Sequence, residues 1–128
     1  MSHLFDTQVL LWAIYEPGKL SARARKVLND PNVEPFFSAI SVLEVSIKTA
    51  RGRLDFQVDP SDFTTQLRLA GFGELDVTSA HAVRFLTVPA LHKDPFDRLL
   101  VAQAMAEELV LVTADKIIGT YPGNILKV

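Results

Sequence analysis

Short apolar runs alternate with longer segments of helical period along the whole chain, and this alternation restricts the fold more than any other feature. His3-Leu4-Phe5 reads as a strand and Thr7 to Tyr15 as a helix closed by Pro17-Gly18. Ser21 caps a second helix that runs to Leu28 and stops at Asn29-Asp30-Pro31. Pro35 to Ser38 is a second strand, followed by Ser41 as N-cap of a helix to Ala50. Asp59-Pro60 opens a helix that ends at Gly71, Phe72 to Val77 is a third strand, and Thr78 caps a helix through Leu86. Asp94-Pro95 opens the long helix Pro95 to Glu108, Leu109 to Thr113 is the clearest strand, and Ile125 to Val128 adds a last edge strand. Strands separated by helices form crossover units, so the expected fold is α/β: a central, mostly parallel sheet covered by helices on both faces. The unbroken apolar run Leu109 to Val112 agrees, because strands of such sheets are buried on both sides.

The chain has 128 residues, which predicts one domain over 1–128. Leu, Ile, Val and Phe make up about a third of it, well above the level of disordered chains. No repeat or low-complexity linker interrupts it. The longest apolar run, Val9 to Tyr15, is too short to span a membrane, and no export signal precedes Asp6. Cysteine is absent, which removes disulfides, thiolate metal sites and thiol nucleophiles, and a cytoplasmic setting is expected. The formal net charge of −2 gives no basic field, so any role with nucleic acid must rest on local features.

Those local features are acidic. In open parallel sheets ligands sit beyond the carboxyl ends of the strands. Asp6 directly follows the first strand, Glu44 lies one turn into the helix after the second, and Asp115 follows the Leu109–Thr113 strand. Asp97 is in the first turn of the helix that feeds that strand, and a helix running back along the sheet starts at the same edge. Each acid also has a purely structural explanation. Asp6 is a good N-cap, Ser41-x-x-Glu44 matches a capping box, Asp94-x-x-Asp97 resembles one, and Asp115 suits a turn. Asp59-Pro60-Ser61-Asp62 has the same local pattern with no strand leading into it, and both its acids read as structural.

The surroundings of Asp6 and Asp97 shift the balance. The positions 3, 4 and 7 residues beyond Asp97 are Leu100, Val101 and Ala104, and beyond Asp6 they are Val9, Leu10 and Ala13. Both carboxylates therefore begin apolar stripes at the lip of the core, where charge is costly unless compensated. Grouped carboxylates also repel and raise one another's pKa. A hard cation resolves both problems, and acids without His or Cys fit Mg²⁺ or Mn²⁺ rather than zinc. Such an ion makes phosphodiester hydrolysis the natural chemistry. Arg23, Arg25 and Lys26, and Lys48, Arg51 and Arg53, are basic residues that either assist with a polyanion or form solvated helix faces, with Glu44–Lys48 an ordinary i,i+4 pair.

Four segments together resemble a known family. Leu4-Phe5-Asp6-Thr7-Gln8-Val9-Leu10-Leu11-Trp12 is similar to the opening of a PIN-domain ribonuclease of the VapC toxin type. Ser38-Ala39-Ile40-Ser41-Val42-Leu43-Glu44, His92 through Ala104, and Leu111-Val112-Thr113-Ala114-Asp115 follow in family order and spacing. The resemblance implies an α/β/α sandwich, Mg²⁺- or Mn²⁺-dependent cleavage of RNA, a homodimer, and a cognate VapB-type antitoxin as partner. It places the acidic site on Asp6, Glu44, Asp97 and Asp115, with Asp94 as the helix N-cap, and gives Thr113 a role toward water or phosphate; Lys48 joins it as a substrate-binding candidate. Gln8 departs from the pattern, since many relatives carry His there.

Nothing in the spacing of His3, His81 and His92 suggests a ligand set or a triad, and they read as structural. Trp12 and Phe96 read as core or dimer-face aromatics, and Gly71-Phe72-Gly73 is not a phosphate loop. Two other function classes compete. A phosphatase or phospho-acceptor domain predicts a second acid beside Asp6, where Thr7 and Gln8 stand. A non-catalytic interaction module leaves four acids unexplained.

Overall fold

A computed structural model describes residues 1–128. Five strands, β1 (Ser2–Phe5), β2 (Glu34–Ser38), β3 (Gly73–Leu75), β4 (Val110–Thr113) and β5 (Ile125–Lys127), form one sheet in the order β3-β2-β1-β4-β5. Every pairing is parallel, with Leu4 opposite Phe36 and Leu111, and Phe5 opposite Val112. Six helices make the crossovers: α1 (Thr7–Tyr15), α2 (Ala22–Asn29), α3 (Ala39–Ala50), α4 (Pro60–Leu69), α5 (Ser79–Arg84) and α6 (Pro95–Ala106). The chain leaves β1 toward β2 and β3, then returns to place β4 on the other flank of β1. That reversal opens a crevice at the carboxyl ends of β1 and β4.

Side chains alternate across the sheet with the strand period of two. Leu4 and Leu111 face Leu100, Val101 and Ala104 of α6. Phe5, Phe37 and Val112 face Val9 and Leu10 of α1 and Phe63 and Leu67 of α4. Helix α3 serves both layers, giving Ile40 to the first core and Val45 to the second. Phe5, Phe37 and Phe63 are fully buried, each worth about 2–3 kcal/mol in surface withdrawn from water. The α/β sandwich with a central parallel sheet is thus the architecture the sequence predicts. No helix is long and apolar enough to cross a membrane.

Local boundaries differ in instructive ways. Helix α3 starts at Ala39, because Ser38 itself is the N-cap: its Oγ accepts the Ile40 amide hydrogen at 3.0 Å. Strand β2 therefore runs into α3 without a loop, and Ser41, expected as the cap, is buried inside the helix instead. Strand β3 keeps only three residues of the expected six. Phe72 belongs to the end of α4, where the amides of Gly71 and Phe72 close back on Arg68 O and Leu67 O at 3.0 Å each. Gly71 accepts the left-handed φ of +93° that this closure demands. Helix α6 ends two residues early by the same device, with Glu108 at φ 55°.

Candidate active site

Asp6 stands where β1 stops and α1 begins. Its Oδ1 caps α1 by accepting the Val9 amide hydrogen at 2.9 Å. Its Oδ2 accepts the hydroxyl of Thr113 and, at 3.3 Å, the amide of Ala114. Only 3% of Asp6 is exposed. Burial pushes its carboxyl above the ordinary value, and the charge of Asp115 adds to the rise, against the pull of those three hydrogen bonds.

Glu44 projects from the middle of α3 and is also buried. Thr7, in the first turn of α1, places Oγ1 2.9 Å from Glu44 Oε1 and 2.8 Å from Ser41 Oγ. A hydroxyl has one proton, so when Thr7 donates to Glu44 it accepts from Ser41. This is the work of Ser41 in place of capping. Burial raises the Glu44 carboxyl, with Asp94 and Asp6 adding to it and Lys48 opposing.

Asp97 lies in the first turn of α6, and Asp94 caps that helix through the Phe96 amide at 2.9 Å. Burial, followed by the charges of Asp94 and Glu44, pushes the Asp97 carboxyl up to about 7. Asp115 differs. Burial acts against its charge, but the Ile118 amide at 3.1 Å, His92, and the Ile117 amide at 2.7 Å together hold it below the usual value.

The sheet thus brings Asp6, Glu44, Asp97 and Asp115 to the walls of one cleft of about 270 Å³, which Asp94 and Lys48 also line. Thr113 is fully buried and joins the acids from behind: it donates to Asp6 while its oxygen accepts the Asp115 amide at 3.0 Å. The two acids that read as structural stay apart from the cleft, Asp59 capping α4 and Asp62 accepting the Tyr15 hydroxyl at 2.7 Å.

Sequence reasoning missed His92. Its Nε2 lies 3.2 Å from Asp97 Oδ2 and 3.1 Å from Asp115 Oδ2. Its Nδ1 accepts the Asp94 amide hydrogen at 3.0 Å, so the ring proton sits on Nε2 and is donated to the carboxylates. The available signal was its place two residues before the cap of the helix that carries Asp97.

Asp97 belongs to two groups whose donor atoms all lie within 4.8 Å of one another, one with His92 and Asp115 and one with Glu44 and Asp94. Asp6 is in neither group. The donors fit a hard divalent cation: they are carboxylate oxygens, and the only imidazole nearby presents a proton rather than a lone pair. Three of the acids are held above their ordinary pKa by burial and mutual repulsion, the condition a divalent charge relieves.

The family model for the PIN domain matches residues 4–123. The chain belongs to the PIN domain family, as its sequence motifs suggest. No curated protein matches it closely enough to count as a relative. Several solved structures share its fold. A chain of VapBC2 from Rickettsia felis, bound to a DNA fragment from their promoter, superposes with a TM-score of 0.72 at 16% identity, covering 99% of this chain and 98% of that one. A chain of a toxin–antitoxin complex from Klebsiella pneumoniae gives 0.64 at 20% identity, covering 98% and 96%. A chain of VapBC-1 from nontypeable Haemophilus influenzae gives 0.61 at 16% identity, covering 99% and 98%.

Proposed function

We propose that this protein is a VapC-type toxin: a single-domain, cytoplasmic, Mg²⁺- or Mn²⁺-dependent endoribonuclease, active as a homodimer and restrained by a VapB-type antitoxin. One observation carries the reading. Four acids from distant parts of the chain meet at the carboxyl edge of a parallel sheet, where burial works against their charge. Membership of the PIN family and the toxin–antitoxin character of the structural neighbours support it.

Asp97 and Asp115 hold the cation, with Asp6 and Glu44 completing its surroundings directly or through water. The cation supplies a water of lowered pKa and positive charge for the phosphate and leaving oxygen. Asp6 is kept in place by Val9, Thr113 and Ala114, which prevent it from turning away from the cleft. Glu44 Oε1 is anchored by Thr7, leaving Oε2 to take a proton from the attacking water, a task suited to its raised pKa. Lys48, one turn along α3, offers its ammonium to a backbone phosphate. Attack by water leaves a 5′-phosphate and forms no covalent intermediate with the protein.

The test is cleavage of single-stranded RNA by purified protein with Mg²⁺ or Mn²⁺, compared with Asp6→Asn. The variant is expected to fold and to cleave no faster than a protein-free blank. Cleavage by Asp6→Asn at the unaltered rate, after removal of contaminating nuclease, overturns the assignment.

A further inference from the structure

One wall of the acidic cleft carries no carboxylate. It is formed by the face of α1 that carries Gln8, Leu11 and Trp12 at helical spacing. Leu11 is buried in the core beneath the sheet. Trp12 is not among the residues of either hydrophobic core or those packed against them; it is partly exposed and turned to the cleft. A large aromatic so placed keeps a face for a planar partner. Of the two places the sequence offered for Trp12, core or dimer face, the core is thereby set aside.

Trp12 lies six residues beyond Asp6 on the same helix, about 9 Å along its axis at 1.5 Å per residue. That is within reach of the nucleotide next to a phosphate held at the acids. Lys48 lines the same cleft from α3, so one backbone charge and one base can be engaged together. Stacking on an aromatic face is the common way for proteins to grip single-stranded RNA, and it is tolerant of base identity.

Resting on the ribonuclease reading above, we infer that Trp12 is the stacking platform for the nucleobase adjacent to the scissile phosphate. It grips substrate, whereas the acids act on the phosphodiester. Its loss therefore falls on KM. Trp12→Ala raises KM for a short single-stranded RNA by roughly 5- to 150-fold, the range for losing one stacked base, with kcat little changed. Trp12→Phe restores most of the affinity.

Trp12 is the only tryptophan in the chain, so its fluorescence reports the contact without labelling the protein. A single-stranded RNA hexamer and an abasic strand of equal length are each added, with Mg²⁺, to the Asp6→Asn variant. A dye on the strand reports binding by anisotropy. The expected result is quenching of Trp12 by the hexamer and binding without quenching by the abasic strand. If the hexamer binds and emission is unmoved, stacking is overturned while the ribonuclease reading stands. If the hexamer does not bind and the unaltered protein cleaves no RNA, both fall.

Discussion

Nε2 of His92 lies 3.1 Å from Oδ2 of Asp115, and the proton between them is fixed by a third residue, since the Asp94 amide occupies Nδ1. His92 therefore donates at the place where a cation would meet Asp97 and Asp115, and it must give way when one binds. His92→Ala removes that competitor. Calorimetric titration with Mn²⁺ is expected to show tighter binding by a factor of about 5, the equivalent of one net hydrogen bond of about 1 kcal/mol. Weaker binding by the variant would mean that the imidazole is a ligand and that its proton has been placed on the wrong nitrogen.

The shifted carboxyls make stability depend on pH in a direction opposite to that of most acidic groups. The folded pKa of Asp97, about 7, lies above its ordinary value of 3.8. An acid of this kind favours the folded state fully below its unfolded pKa, and that contribution disappears as pH rises through the folded value. Asp6 and Glu44 act in the same direction. In chelator, the melting temperature is expected to rise by several degrees from pH 8 to pH 5. Asp115, whose pKa is lowered, opposes this only below about pH 4. Asp97→Asn should flatten the profile between pH 5 and 8. Mg²⁺ at about 100 times its Kd should add about 2.7 kcal/mol at pH 8 and less at pH 5, where protons compete.

Ser38 occupies the seam between β2 and α3 and has two partners. It caps α3 through the Ile40 amide and donates to Gln103 Oε1 of α6 at 2.6 Å, in full burial. Ser38→Ala loses the cap, about 1 kcal/mol, and strands a buried amide oxygen, about 1–3 kcal/mol. Urea unfolding is expected to show a loss of about 2–4 kcal/mol. With Gln103→Leu already in place, the same change should cost no more than the cap. Equal costs in both backgrounds would show that the two residues are not coupled.

The alternation of apolar runs and helical segments was enough to read the element order and the parallel sheet, because each local signal agrees with the layer in which it is buried. Asp6, Glu44, Asp97 and Asp115 were legible as a group for a related reason: Asp6, Asp97 and Asp115 sit where a strand ends or a helix begins, and Glu44 lies within the helix that directly follows β2. What stayed hidden depends on contacts across the chain. Ser38 and Ser41 are equally good caps by type, and only the 34-residue separation bridged by Thr7 and Ser41 decides between them. His92 looked isolated because its partners are Asp97 and, 23 positions away, Asp115. Thr113 read as a group facing substrate, yet its hydroxyl is used between Asp6 and Asp115.

The close of α6 offers a test independent of any activity. Leu109 N bonds Ala104 O at 2.8 Å and Glu108 N bonds Met105 O at 3.4 Å, the pairing that requires a left-handed residue at position 108. Gly71 fills the equivalent place after α4, but here an exposed glutamate is held at φ 55°. The left-handed conformation costs a residue with a Cβ about 1–2 kcal/mol, whereas glycine adopts it freely. Glycine gives back about 0.5–1 kcal/mol through the greater freedom of the unfolded chain. Glu108→Gly is therefore expected to stabilise the protein by up to about 1 kcal/mol and raise its melting temperature by a few degrees. Glu108→Ala should give no such gain, since it keeps the Cβ; a gain of the same size from alanine would assign the effect to charge at the end of α6 and not to backbone strain.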